Sequence, residues 1–436
     1  MRLLPKASVV LLIAGFCLFA FWAYAQVLPR RPFIGLDLRW SSEEELLVVE
    51  RVHRGSAAER ADLQPGDRLL SLDEVPLQSY GQLLEMISKH RKPGDKIRLT
   101  IQRNGQTLVK KLRLGEYPRE HAADFDIDYR EVFTPEGRLR CIVTIPRVPK
   151  PVPTVFFIQG IACQSIDNPF DTERASTQLL YELTRRGMAT VRVEKFGIGD
   201  SEGPNCMEVD FNTERRAFLL ALQQLKKYDF VDSTQVILLG HSVGGIIAVQ
   251  IANKETVKGI VVYGTIGRRW TDYLLESRRR LSMMRGKAEA EMDEYLTGIN
   301  RCNVQYFMLH QPKEEVAATN PAYERYLRLF DIRSDNYWFQ LQEVNVPDEW
   351  SHYDSFVLSL WGEFDMASLE EDHRMIAHIV EKRNPGKAVF MRVPQADHGM
   401  RWATSHREVV APYNPLIGYI VAQWIQSIIQ NPWQSE

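Results

Sequence analysis

Read for its alternation of apolar and polar positions, the chain changes texture more than once. From Pro32 to about Glu116 the apolar residues come in short runs, "FIGLDL", "LLVVERV", "KIRLTIQR" and "TLVKKLRL", punctuated by Gly-Asp and Asn-Gly turns. These runs predict a small β-rich domain. Helical spacing interrupts it at "YGQLLEMISKHR", where Leu83, Leu84 and Ile87 recur on one side, and a shorter helix is expected at "SAAERADL". After the charged linker "EYPREHAADFD", the stretch "YREVFTPEGRLRCIVTIP" predicts an antiparallel hairpin turning at Thr134-Pro135-Glu136-Gly137. Strand-like and helix-like periods then alternate: "TVFFIQG", a helix near "TQLLYELTRRG", "ATVRVEKFG", a helix at "RRAFLLALQQLKKY", "QVILLG", a helix from Gly244 to about Asn253, and "VKGIVVYG". Such alternation predicts a largely parallel sheet covered on both faces.

From about Arg268 to Tyr353 the alternation stops, and the composition turns to Arg, Glu, Tyr and Trp in amphipathic helical spacing. A structureless loop of that length does not suit a compact domain, so the segment is expected to be an inserted cap with helices of its own. Its tryptophans Trp270, Trp338 and Trp350 are expected to form the core of the cap, because aromatic residues at helical spacing pack together. The sheet pattern resumes at "FVLSLWG" and "AVFMRVP". It closes with a helix from Leu416 to Ile429 whose apolar stripe is Ile417, Ile420, Val421, Trp424, Ile425 and Ile428.

Composition adds the compartment. The 54 basic and 56 acidic residues leave a formal charge of −2, so no overall field draws the protein to nucleic acid or to an anionic membrane. At the N-terminus, Arg2 and Lys6 precede "ASVVLLIAGFCLFAFW", which ends in Ala23-Tyr24-Ala25. Residues 1–25 therefore read as a signal peptide with an A-x-A cleavage site or, uncleaved, as an N-terminal membrane anchor through residues 7–25. Either reading places the rest of the chain outside the cytoplasm, periplasmic or extracellular. There Cys141, Cys163, Cys206 and Cys302 meet an environment that permits pairing, and their spacing fits no metal template.

The candidate chemistry lies at Gly240-His241-Ser242-Val243-Gly244, which follows a β-branched, leucine-rich strand and opens a helix. A strand that turns directly into a helix forces its central residue into a strained conformation and leaves room only for small residues two before and two after. Ser242 is thereby exposed as a nucleophile, and the N–H of Val243 sits at a helix N-terminus, where an oxyanion is stabilised. A serine needs a base and a group to orient that base, and both are expected downstream of it at strand ends. "LSLWGEFD" ends with Asp365, and "VPQADHGM" delivers His398. Glu363 is the rival acid; His373, His378 and His406 are rival bases, expected to be solvated on helix or surface loop.

Two resemblances follow from these residues. The stretch "GSAAERADLQPGDRLLSLDEVPLQSYGQLLEMI" with "PGDKIRLTIQRNGQ" resembles a PDZ domain of the kind attached to bacterial periplasmic serine proteases. It implies a PDZ-like domain over 32–116 in which Phe33, Ile34, Gly35 and Leu36 turn N–H groups toward the C-terminal carboxylate of a peptide or partner protein. Asp62 stands where that family usually has glycine. Residues 125–436, with "GHSVGG", "GEFD" and "ADHG", resemble an α/β-hydrolase: a mostly parallel sheet with helices on both faces and a cap insertion at about 268–353. That resemblance implies a second oxyanion donor, the N–H of Ile161 or Ala162, although Gln159-Gly160 replaces the commoner His-Gly pair. It also makes "GIGDSEG" a pocket-bordering loop, since its glycines fit no phosphate-binding pattern. Cys163 and Cys206 then fall at neighbouring strand ends, where they could form a disulfide at the pocket rim, one of three connectivities open to four cysteines.

The function expected from this reading is an exported serine hydrolase that cleaves ester or amide bonds through an acyl-enzyme, with the cap as the roof of the pocket. Its partner is a small acyl substrate or a peptide, and it calls for no cofactor and no metal. A peptidase fed by the PDZ-like domain is the first alternative. A non-catalytic binding or scaffolding protein is the second.

Overall fold

The eleven-residue strand Val231–His241 runs into the helix Val243–Ala252 with one residue between them, and the remaining elements of the larger unit are arranged around that junction. The computed structural model describes residues 28–88 and 90–429; the segment 1–25, read above as a signal or anchor, lies outside them. No helix among the described residues is long and apolar enough to cross a membrane. The chain divides into two compact units, one ending at Glu116 and the other beginning at Tyr117.

In the first unit, strands Leu36–Ser41, Leu46–Val52, Arg68–Leu72, Lys96–Arg103 and Gln106–Arg113 lie side by side in that order, all antiparallel. Alternation puts Leu47, Val49, Leu69, Leu99 and Ile101 on the inner face, where the helices Ala57–Arg60 and Tyr80–Ser88 cover them. Ser56 caps the first helix by accepting from the N–H of Glu59. The second helix buries Leu83 and Ile87 but leaves Leu84 48% exposed, so only part of the expected stripe faces inward. Asp62 takes the left-handed conformation (φ +55°) that suits the glycine it replaces. Its carboxylate is held there by Lys110 at 2.9 Å and Arg103 at 3.2 Å.

In the second unit the strands are β1 (Phe125–Thr134), β2 (Gly137–Pro146), β3 (Val152–Ile158), β4 (Ala189–Val193), β5 (Val231–His241), β6 (Gly259–Tyr263), β7 (Phe356–Gly362) and β8 (Ala388–Val393). Their order in space is β8-β7-β6-β5-β3-β4-β2-β1. The β1–β2 hairpin is antiparallel, as is the β2–β4 pair, while β3 to β8 run parallel. Central segments such as residues 236–239 of β5 and all of β6 are apolar on both sides because helices cover both faces.

Helices α1 (Ala175–Arg185) and α11 (Pro415–Ile429) cover one face. Ile417, Val421, Ile425 and Ile428 are buried along α11, with Ile420 and Trp424 half-buried at its margin, so the predicted stripe faces the sheet. Each buried aliphatic side chain contributes about 1.5–3 kcal/mol. Helices α2 (Phe211–Leu225), α3 (Val243–Ala252) and α10 (Glu370–Arg383) cover the other face.

The cap consists of α4 (Trp270–Met284), α5 (Glu289–Asn303), α6 (Lys313–Thr319), α7 (Pro321–Leu327), α8 (Asp335–Glu343) and α9 (Val346–Ser351). One five-residue π-helical turn, Val304–Met308, follows α5. Trp270, Trp338 and Trp350 are buried, and the cap core is continuous with the core beneath α2, α3 and α10. A short hairpin, Trp402–Ser405 with Glu408–Ala411, lies between β8 and α11. Its strands are only four residues each and show no alternation of apolar and polar positions, so they do not stand out in the sequence.

Cys163 and Cys206 are joined by a disulfide that links the loop after β3 to the loop after β4. Cys141 and Cys302 are free and buried, and burial pushes each thiol up to about 12, which makes them poor nucleophiles. Closing a loop across a sequence separation of 43 contributes roughly 3–4 kcal/mol on a chain-entropy argument. Replacing both residues, Cys163→Ser with Cys206→Ser, is therefore expected to lower the melting temperature under non-reducing conditions. An unchanged melt, or peptide maps with both thiols free in protein recovered from an oxidising compartment, contradicts this.

Candidate active site

Ser242 has φ +56° and ψ −129°, a region that non-glycine residues avoid at a cost of about 1–3 kcal/mol. Its neighbours explain how that conformation is held. A Cβ on Gly240 would lie 2.6 Å from Gly245 Cα, and one on Gly244 would lie 2.2 Å from the carbonyl oxygen of Ile158. Gly245 is a third obligatory glycine, since its Cβ would meet Thr265 Oγ1 at 2.3 Å. The Ser242 N–H donates to the Tyr263 carbonyl at 3.0 Å, and the Thr265 hydroxyl donates to the Ser242 carbonyl at 2.8 Å.

The same strand end seats the acid and the histidine. Gly264, between those two partners and at φ +62°, has no Cβ to collide with Asp365 Oδ2 and His398 Nδ1, each 2.9 Å from where one would stand. His398 Nδ1 donates to Asp365 Oδ2 at 2.9 Å, leaving Nε2 as the free base. Asp365 is fully buried and accepts further from the N–H groups of Ala367 (2.7 Å) and Ser368 (2.8 Å) and from the Ser368 hydroxyl (2.7 Å). Burial alone would raise its pKa, but the charge and hydrogen bond of His398 and the bonds from Ser368 hold the carboxyl well below the usual range. For His398, burial pulls the pKa down, and the charge and hydrogen bond of Asp365, with the charge of Asp397, outweigh it and raise it.

The rivals sit elsewhere. Glu363 binds Arg392 at 3.2 Å and the Gln395 N–H at 3.0 Å at the margin of the sheet. His378 and His406 are exposed. His373, expected to be solvated, is instead fully buried: its Nε2 accepts from the Thr265 N–H at 3.0 Å and its Nδ1 faces the Ser359 hydroxyl at 2.8 Å. Burial lowers it to about 3, so it stays neutral and braces the residue that binds the Ser242 carbonyl. The expectation failed because the helix carrying His373 turns that residue toward the sheet.

His241 was not singled out by the sequence. Its Nε2 lies 2.8 Å from the carbonyl oxygen of His398 and donates to it, and its ring stacks against Tyr263 at 6.2 Å. Burial and the charge of His398 lower it to about 4, so it holds the His398 loop as a neutral donor. Only the position next to the serine hinted at this.

Ser242, His241 and His398 border one cavity of about 560 Å³, within the size range of small-molecule sites. Phe157, Ile161, Ile166 and Met400 give it apolar walls; Arg174 and Arg401 add charge. No residue of 268–353 lines it, which corrects the expectation of a cap roof. The cap packs over α2, α3 and α10, whereas the cavity opens among loops leading into α1 and α11. Ile161 and Ala162 are on its wall, and Val243 begins the helix beside Ser242.

In the first unit, Phe33 pairs with Gly115, Ile34 and Gly35 are buried, and Leu36 opens the edge strand. Gly35, at φ +93°, is obligatory because a Cβ there would lie 2.0 Å from Ser56 Cβ. Among the described residues, no group of three or more His, Cys, Asp or Glu side chains is placed to hold a metal ion.

A strand-to-helix serine beside a part-exposed histidine paired with a buried aspartate, on a mostly parallel sheet, defines the α/β-hydrolase class. Residues 169–412 match the Alpha/beta hydrolase family model, and the chain belongs to that family. Residues 32–114 match the PDZ domain model. Esterase EstD of Thermotoga maritima is 26% identical over 120 residues, 28% of this chain and 28% of its own length. A Neisseria meningitidis protein provisionally named a zinc metalloprotease is 42% identical over 66 residues, 15% of this chain and 14% of its own. The chain thus spans under a third of either curated relative. Among solved structures, Est1E from Butyrivibrio proteoclasticus with bound ferulic acid is 17% identical with a TM-score of 0.45, covering 69% of this chain and 98% of that one. The thermostable carboxylesterase EstE1, cloned from a metagenomic library, is 15% identical with a TM-score of 0.47, covering 72% and 92%.

Gly264→Ala is expected to lower kcat by on the order of 10²-fold, because the new methyl displaces the His–Asp pair by a fraction of an ångström or more. Steady-state ester hydrolysis by a variant that still melts cooperatively checks this. Retention of full activity would show that the pair tolerates displacement.

Proposed function

We propose that the protein is an exported serine esterase. The observation that carries this reading is the common seat at residues 263–265. Ser242 binds there through both its N–H and its carbonyl, and Asp365 and His398 rest against Gly264 between those contacts. Ser242 Oγ attacks the ester carbonyl while His398 Nε2 takes its proton. The tetrahedral oxyanion is met by the N–H of Val243 and that of Ile161 or Ala162. Collapse of the intermediate breaks the bond to the alcohol, which leaves with the proton from His398, and water then hydrolyses the acyl-enzyme by the same route. Asp365 keeps the imidazole in the tautomer with Nε2 free. The cavity volume suits a small or medium acyl group, and the name of EstD favours an ester over an amide.

The first unit supplies a second binding function in this reading. Leu36–Ser41 is an edge strand, able to accept a peptide strand, and Phe33, Ile34, Gly35 and Leu36 form the turn that would receive its terminal carboxylate. Tyr80 (46% exposed) and Leu84 (48% exposed), one turn apart on the second helix, offer apolar contacts. Export is supported by the N-terminal pattern of Arg2, Lys6 and Ala23-Tyr24-Ala25 and by the Cys163–Cys206 pair.

A fluorophosphonate is expected to label the wild type and not Ser242→Ala; equal labelling of the two excludes Ser242 as nucleophile. The pH profile adds an independent check. Only neutral His398 can accept the proton, and its pKa is raised, so kcat/KM is expected to fall with decreasing pH through a midpoint above its ordinary value of about 6.5. Asp365→Asn removes the cause of the rise, so the midpoint should move down while kcat drops by on the order of 10⁴-fold. A midpoint that stays in place would separate Asp365 from His398 in function.

A further inference from the structure

Behind the wall of the cavity, on the side away from solvent, three charged side chains meet: Lys195 at the end of β4, Glu214 on α2 and Arg333 from the cap, each no more than 3% exposed. Lys195 Nζ lies 3.1 Å from Glu214 Oε1, and Arg333 donates to Glu214 Oε2 at 2.7 Å. Other donors of the two cations are aimed at backbone, while Arg333 Nε is buried without a hydrogen-bond partner. Lys195 donates to the carbonyl of Gly160 at 2.6 Å, and Arg333 donates to the carbonyl of Ile161 at 3.1 Å and to that of Val209 at 3.2 Å. The guanidinium also stacks on the Tyr337 ring, 3.7 Å from its centroid, which fixes its plane.

Stability does not account for this cluster. Burying three ions costs several kcal/mol in desolvation, and well-packed apolar groups often do as well or better, so a gain in stability is a weaker explanation than the arrangement the ions impose. Burial and the charge of Arg333 lower Lys195 to about 8 against the pull of Glu214.

What the cluster specifies is the orientation of two peptide planes. The Gly160–Ile161 and Ile161–Ala162 bonds are trans, so in each the N–H points opposite to the C=O. A cation on the Gly160 carbonyl therefore turns the Ile161 N–H away from itself, and a cation on the Ile161 carbonyl does the same for Ala162. Both residues are on the cavity wall beside Ser242. Each cation also polarises the peptide it holds, making the opposite N–H a stronger donor.

We infer that Lys195 and Arg333, neutralised by Glu214, are positioning residues that lock the oxyanion-binding N–H groups of Ile161 and Ala162; this rests on the serine-hydrolase reading above. The cap, which lines no part of the cavity, thereby acts on the chemistry from behind it. An unbraced loop could rotate either peptide and present a carbonyl oxygen to the developing negative charge.

The test compares wild type with Lys195→Met, Arg333→Met and Arg333→Lys, using a p-nitrophenyl ester and a trifluoromethyl ketone whose serine adduct carries an oxyanion. The two Met variants are expected to lose on the order of 10²-fold in kcat, with KM changed by less than about threefold and ketone affinity reduced in parallel with kcat. Arg333→Lys, which keeps a cationic donor, should recover most of both. A merely structural role would lower the melt without this separation of kcat from KM. Variants that melt like wild type and keep its kcat and ketone affinity overturn the inference, as does a loss of kcat with ketone affinity unchanged. Should Lys195→Met not fold, the Arg333 pair carries the same comparison with the Lys195–Glu214 contact intact. A wild type that neither turns over esters nor reacts at Ser242 removes the hydrolase reading itself, and the inference with it; active wild type beside equally active variants removes the inference alone.

Discussion

The constraint on which the structure depends is the backbone corner at Ser242. A residue at φ +56° between a strand and a helix is tolerable only if nothing with a Cβ crowds the crossing, and Gly240, Gly244 and Gly245 meet that condition on three sides. The corner holds because its polar backbone groups are satisfied by the neighbouring strand end, through Tyr263 and Thr265. Thr265 is in turn held by a buried, neutral His373. Strain at one residue is thus supported by hydrogen bonds two layers deep, which is how a reactive group is kept in place rather than allowed to relax.

The loop after β3 shows a second kind of support. Arg192 within β4 and Glu194 and Lys195 just after its end are all buried charged residues. Arg192 pairs with Glu120, which accepts from the Asn168 N–H at 2.6 Å. Glu194 accepts from the Ser165 hydroxyl and from the Ile166 N–H at 3.2 Å. Lys195 and Arg333 hold Gly160 and Ile161. With the Cys163–Cys206 bond, this ties the segment from Gly160 to Asn168 at several points along its length. The loop carries no regular secondary structure, yet it has little freedom to change shape.

Much of this was legible in the sequence because it rests on local rules. Alternating strand and helix periods marked the sheet, the small residues around Ser242 marked the corner, and Asp365 and His398 stood where strands end. The tryptophans of the insertion read as core and are core. What was not legible depends on which way a helix or loop faces once packed. Leu84 belonged to an apolar repeat but points outward, and His373 looked like a solvated helix residue but faces the sheet. The cap read as a roof, yet its apolar surface matches the helices on the other side. Gly264 has no local signature and His241 only its place beside the serine, since their importance arises where distant segments meet. The charges in "VRVEK" did carry a signal, for three ionisable residues within and just after a buried strand conflict with burial unless they have partners.

The central claim is that one carbonyl can be held at once by Ser242, by the turned N–H groups and by His398. A crystal structure of the protein with a phosphonate or boronate bonded to Ser242 Oγ tests it most directly. The account predicts one oxygen of the adduct within about 3 Å of the N–H of Val243 and of Ile161 or Ala162, with His398 Nε2 facing another. An adduct oxygen turned to solvent, with either peptide flipped so that its carbonyl faces the adduct, would contradict it.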